Sequence, residues 1–215
     1  MKRPHSAAVL LFTCILGSAA PSRSQTVIPL PAPRVEGGRP LMQVLKDRRS
    51  TRAFKPDTLP LPILSDLLWA AFGINRPERG LRTAPSAVNW QEIDVYAALP
   101  SGLFLYNPKT HGLERVLSED IRSATGLQPF VGTAPLNLVL VADYSRMARG
   151  SAENKDPWAW ADAGFISQNV YLFCASEGLG TVVRAMVDRP ALSEKMGLRP
   201  DQKIILSQTV GYPVE

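Results

Sequence analysis

The chain has 215 residues, 45% hydrophobic and 20% charged, an ordinary globular composition with enough apolar material for one sizeable core. Its formal charge is +5, but Lys2, Arg3 and Arg23 lie in the first 24 residues and no acid does, so the rest carries +2 and makes no case for nucleic acid. With one histidine (His111) and one cysteine (Cys174) beyond that leader, a histidine-rich metal site, an intramolecular disulfide and a Ser-His-Asp triad all fit poorly.

In chain order, Lys2 and Arg3 precede an apolar run, Ala7 to Ile15, too short to span a bilayer. Small residues follow at Gly17-Ser18-Ala19-Ala20 and at Ser22 and Ser24. The pattern predicts a secretory signal peptide over 1–24, cut near Ala20 or Ser24, and hence an exported protein with the bacterial periplasm as its compartment and no membrane span once the signal is removed. The n-region carries Lys2-Arg3 rather than two arginines, which reads as a signal for an unfolded chain. Residues 25–39, rich in Pro, Gly and small side chains, read as an N-terminal arm, either ordered by docking or loose. The expected domain is 40–215.

Pro40 starts a short helix with Leu41, Met42, Val44 and Leu45, followed by Arg48-Arg49-Ser50-Thr51-Arg52. Pro62 opens a second helix (Leu64, Leu67, Leu68, Ala71, Phe72) stopped at Gly73, and 75–83 is a polar loop. Ile93 to Leu99 alternates as a strand. A hairpin follows, Leu103 to Tyr106 and Leu113 to Leu117, with His111 in a surface turn. Ser118 caps a short helix containing Ile121. Leu136 to Val141 is a buried strand, and 145–155 is a loop able to act as a lid. Asp156-Pro157 begins the longest helix, apolar all round and so buried on most sides, reaching Glu177 before Gly178. Thr181 to Val183 is extended, Pro190 to Met196 a short helix, and Ile204 to Val210 the last strand. One α+β domain is expected.

Three clusters carry chemistry. Guanidinium forks at Arg48, Arg49 and Arg52 with the Ser50 hydroxyl match phosphate oxygens, although cations at a helix end also complement its dipole. Ala84-Pro85-Ser86-Ala87-Val88-Asn89-Trp90-Gln91 brings hydroxyl and amide groups to a strand mouth, where they could hold a polar heterocycle or simply cap a loop. Glu177-Gly178-Leu179-Gly180-Thr181 places glycines where backbone N–H groups can approach a flat ligand; a helix cap accounts for Gly178 but not Gly180. Trp158 and Trp160 either cover a ligand or close the core, and Cys174 reads as an inert core thiol.

Together these motifs resemble the nitroreductase-like FMN oxidoreductases from about Leu41 to Pro213, with Asp162-Ala163-Gly164, Gln168-Asn169 and Gly211-Tyr212-Pro213 in support and a tone closest to the azoline-oxidising dehydrogenase branch. The resemblance implies a mostly antiparallel sheet flanked by helices, a homodimer with FMN at the subunit interface, and hydride transfer between flavin N5 and a small organic molecule. That covers nitro-compound or quinone reduction, or dehydrogenation. By motif, Arg48, Arg49 and Ser50 contact the phosphate, Arg52 the ribityl chain and pyrimidine edge, and Pro85, Ser86, Asn89 and Gln91 the isoalloxazine. Gly178, Leu179 and Gly180 present backbone, with Gly180 near N5. Relatives often carry a basic pair beyond the last strand; here the sequence ends Val214-Glu215, and Arg184 is the candidate replacement. NAD(P)H, the usual electron donor of this family, is expected to be scarce outside the cytoplasm. The competing expectation is an exported flavin-binding or interaction module without turnover.

Overall fold

The computed structural model describes residues 26–149 and 151–214; the expected signal peptide lies outside them. The arm is docked on the domain. Its strand β1 (Val27–Pro29) pairs with a hairpin strand further on, and Arg34 then bonds Asp66 at 2.9 Å. Helix α1 (Leu41–Asp47) buries only Val44, while α2 (Leu61–Phe72) buries Leu64, Leu67, Leu68, Ala71 and Phe72 and ends at Gly73. The polar loop after it contains a small hairpin, β2 (Ile74–Arg76) and β3 (Leu81–Arg82).

The main sheet adds β4 (Ile93–Leu99), β5 (Gly102–Asn107), β6 (Gly112–Leu117), β7 (Leu136–Asp143), β8 (Gly180–Arg184) and β9 (Gln202–Gly211). Its order is β1-β6-β5-β4-β7-β9-β8, with every pairing antiparallel. In β7, Leu136, Leu138 and Leu140 face the core under α2 and the long helix α3 (Ala152–Ser176), while Val139 and Val141 face a second core under α4 (Arg189–Met196). Burial on both faces is why that strand reads as an unbroken apolar run. The short helix expected after Ser118 is two 3₁₀ turns, Arg122–Thr125 and Pro129–Gly132.

Two further expectations are corrected. Helix α3 starts a turn before Pro157, at Ala152, so half of the anticipated 145–155 loop is a 3₁₀ turn (Tyr144–Arg146) and helix. It is also one-faced: Ala159, Asp162, Ala163, Ile166, Ser167, Val170, Tyr171 and Cys174 are buried at helical spacing, while Trp158, Trp160 and Phe165 are exposed. The buried stripe contains small and polar residues and the outer face aromatic ones, so composition alone hid the asymmetry. His111 is half-buried rather than on a free turn. Its Nε2 is 2.7 Å from Ser65 Oγ and its Nδ1 3.0 Å from the Tyr106 hydroxyl.

Candidate active site

Helix α1 ends at Asp47, and Arg48 caps it with its backbone N–H on Val44 O. The chain then leaves in an extended path along the sheet edge, where the Thr51 N–H donates to Thr181 O at 2.9 Å. That contact covers part of β8, an edge strand. Tyr171, on the buried face of α3, fixes the segment from below. Its hydroxyl accepts the Val183 N–H at 3.1 Å and lies 2.8 Å from Ser50 Oγ. The single phenolic hydrogen is therefore free to go to Ser50, leaving the serine hydrogen for a ligand. The Arg48 guanidinium sits 5.2 Å above the Tyr171 ring centroid.

A cleft of about 520 Å³ opens here, lined in part by Lys46, Arg48, Arg49, Thr51, Tyr171 and Gly178. Its charge is unbalanced. Asp47 is paired with Arg39, whose hydrogen bond holds the carboxyl below the usual carboxylate range. Among the described residues no carboxylate lies within ion-pair distance of Arg48, Arg49 or Arg52. Uncompensated guanidinium forks beside an available hydroxyl suit a phosphomonoester.

The glycine cluster meets the arginine cluster. Gly178, at φ +71°, terminates α3, and the N–H of the buried Leu179 closes the turn on Cys174 O at 2.8 Å. Gly180 answers to a different constraint: a Cβ there would lie 2.8 Å from Thr51 Cγ2. Its lack of a side chain lets the arginine segment reach the sheet edge. Cys174 is fully buried, and burial pushes its thiol pKa up, in keeping with an inert core residue.

The second cluster is a strained turn at the other end of the buried stripe on α3. Val88, Asn89 and Gln91 all adopt left-handed φ (51°, 57° and 50°), a conformation that side chains other than glycine seldom take and that concentrates at functional sites. Ser86 Oγ accepts the Gln91 N–H at 2.8 Å, and Asp162 Oδ2 accepts the Ala87 N–H at 2.8 Å. The Gln91 side chain is fully engaged, with Oε1 on Arg82 Nε at 2.8 Å and Nε2 donating to Gly80 O and Asn89 Oδ1. Ser86 and Gln91 therefore shape the turn, whereas Pro85 and Asn89 are exposed on it. No hydrogen bond or ion pair among the described residues links this turn to the other two clusters. Its anchor Asp162 and the arginine anchor Tyr171 are separated along α3 by about 14 Å at the standard helical rise.

Arg184 lies away from the arginine cleft. It is buried on the opposite side of the sheet, donating to Thr125 O at 2.9 Å and to Asn137 Oδ1 at 3.1 Å, and burial draws its pKa down to about 10. Strand alternation sets this: Thr181 faces α3 and lines the cleft, so Arg184, three residues on, points to the other layer. Tyr171, Arg82 and the anchoring role of Asp162 escaped the sequence reading. Tyr171 and Asp162 work through partners distant in the chain, and Arg82 through Gln91 and Phe72 on either side of its own hairpin.

A profile described as "Nitroreductase family" matches residues 45–212. The chain belongs to the nitroreductase family. This nitroreductase homologue is 49% identical to a structurally characterised nitroreductase-like protein of Ralstonia eutropha JMP134, with a TM-score of 0.84, covering 88% of this chain and 90% of that one. It is 34% identical, over 66% of its length and 76% of the relative's, to a nitroreductase-like protein of Methanocaldococcus jannaschii. At 19% identity, and hence as a likeness of fold, it matches the NADPH:FMN oxidoreductase of Vibrio harveyi in complex with NAD+, with a TM-score of 0.63 over 81% of this chain and 69% of the other. Family membership makes the protein an oxidoreductase.

Proposed function

We propose that this chain is an FMN-dependent oxidoreductase working as a homodimer on a small organic molecule, by reduction of a nitro compound or quinone or by dehydrogenation. The observation that carries the reading is the cleft at the end of α1. Among the described residues Arg48 and Arg49 have no carboxylate within ion-pair distance, and Tyr171 and Gly180 hold the segment in place. In this reading they grip the FMN phosphate, Arg52 lies toward the ribityl chain, and the Pro85–Gln91 turn offers Asn89 and backbone groups to the ring. Bound FMN would supply hydride transfer at N5. The protein's part is to bind, orient and tune it, and a cation at Arg52 favours the charge that develops on the pyrimidine edge. Of the glycines, exposed Gly178 has open space beside it. The name of the Vibrio harveyi neighbour, with FMN in it, agrees with this choice of flavin.

The homodimer follows from two features. The phosphate-type and ring-type groups lie apart on one chain, and the exposed Leu41, Met42 and Leu45 of α1 and Phe165 of α3 form apolar surface beside them. A second copy covering that surface could bring its own Pro85–Gln91 turn to the arginine cleft. We also propose that residues 1–24 are removed on export, that 25–39 act as a docking arm, and that FMN is acquired after translocation. The test is purification of the mature protein with free FMN. A flavin spectrum that bleaches with dithionite and returns with a quinone or nitroarene supports the reading, and failure to bind FMN at any pH overturns it.

A further inference from the structure

Glu92 follows the strained turn directly and is fully buried, and neither of its carboxylate oxygens has a hydrogen-bond partner. The groups facing it come from two elements. Asp162, 2% exposed, approaches from α3 closely enough for a carboxyl on one residue to donate to the other. Arg146 and Tyr144 approach from the 3₁₀ turn after β7. The last two are engaged elsewhere. Arg146 pairs with Asp94 at 2.5 Å and donates to Gln91 O at 3.0 Å, and the Tyr144 hydroxyl donates to Asp156. Among the described residues Arg146 is the cation facing Glu92, and its charge is already shared with Asp94 and, at 3.5 Å, Asp143, so a second negative charge in this buried site is poorly balanced and disfavoured.

We propose that Glu92 and Asp162 hold one proton between them, and that this shared proton positions the Ala87–Gln91 turn for ligand binding. With the proton present, a Glu92 O–H meets one oxygen of Asp162 while the other, Oδ2, keeps the Ala87 N–H at 2.8 Å. One charge is then held by two donors. Without it, two carboxylates face each other and must part. Asp162 rides on a helix packed into the core, whereas the turn carries exposed Val88 and Asn89 in left-handed conformations that need external support. The turn gives way first, at the Ala87 contact. Burial is the main influence raising the Glu92 carboxyl, to about 7; its own backbone N–H opposes this, Asp162 adds to it and Arg146 opposes it more weakly. Glu92 and Asp162 are positioning residues acting through the turn, and their role rests on the reading that the turn meets a flavin ring.

The experiment has two independent readouts. In apoprotein without flavin, infrared difference spectra should show a protonated carboxyl band at pH 6 that disappears with a midpoint near 7 and is absent from Glu92→Gln. FMN titrations from pH 6 to 9 should show affinity falling about tenfold or more through the same midpoint, one pK unit of coupling corresponding to a factor of ten. In Glu92→Gln, which keeps a neutral donor at every pH, the fall should vanish apart from the titration of the FMN phosphate, common to both proteins. Absence of the band in wild type, or matching pH profiles in wild type and Glu92→Gln, overturns the shared proton while leaving FMN binding intact. A normal band and midpoint with no FMN binding at any pH overturns the flavin reading and the turn's role toward it. The wild-type infrared measurement decides the point even if the glutamine variant fails to fold.

Discussion

At the residue scale, Ser50, Arg48 and Tyr171 work as a unit. The tyrosine hydroxyl has one hydrogen and two neighbours, and the Val183 N–H can only donate, so the bond order runs from backbone to phenol to serine to ligand. Arg48→Ala should leave the fold intact while lowering FMN affinity by about 1.5–3 kcal/mol, the worth of a charge-assisted hydrogen bond, as read by flavin titration. Tyr171→Phe should keep the ring beneath Arg48 but strand the Val183 N–H, costing about 1 kcal/mol of stability in urea unfolding and a smaller loss of affinity. The arginines were legible in the sequence because their chemistry stands in one short run. Tyr171 was not: the pair is separated by 121 residues, and nothing local distinguishes a tyrosine that orients a serine from one that fills a core.

At the element scale, the two glycines after α3 separate two reasons for the same residue type. Gly178 needs a left-handed backbone, so Gly178→Ala should cost about 1 kcal/mol of stability in urea unfolding. Gly180 needs room beneath Thr51. Gly180→Ala should lift the arginine segment off β8, seen as faster hydrogen exchange at the Thr51 amide together with weaker FMN binding. The arm shows a second local device. Ser65 Oγ donates to Pro31 O, so the neutral His111 imidazole is consistent with Nε2–H toward Ser65 and Nδ1 accepting from Tyr106. Burial lowers the His111 pKa, so the neutral form's contribution is complete above the unfolded value of about 6.5 and is lost as pH falls through the lower folded value. The Leu30 amide, bonded to His111 O at 3.1 Å, should accordingly lose exchange protection in acid, and His111→Asn should remove that pH dependence. The sequence left the arm as either docked or loose. Its docking depends on a histidine 80 residues from Pro31, beyond the reach of any local pattern.

At the scale of the whole molecule, hairpin, buried strand and helix periods were legible because each is written in neighbouring residues. The sheet order was not, since β7 lies between β4 and β9 and β8 at the edge through pairings that no local pattern encodes. The long helix shows where composition misleads. Its buried stripe carries Asp162 and Ser167, while Trp158 and Phe165 are exposed on its outer face and Trp160 lies on the flank against Arg189. An exposed apolar face such as that of α1, where Met42 is 75% exposed, is the kind of surface that marks an interface. If a second copy covers it, assembly and flavin loading must be linked, because the arginine cleft and the turn would come from different subunits. Met42→Glu places a charge on that surface six residues before Arg48 and away from the turn. It should therefore give a folded monomer by circular dichroism and sedimentation whose FMN affinity is lost together with the dimer. A Met42→Glu monomer that binds FMN as tightly as wild type would show that each chain holds a complete site, and would refute a site shared across the interface.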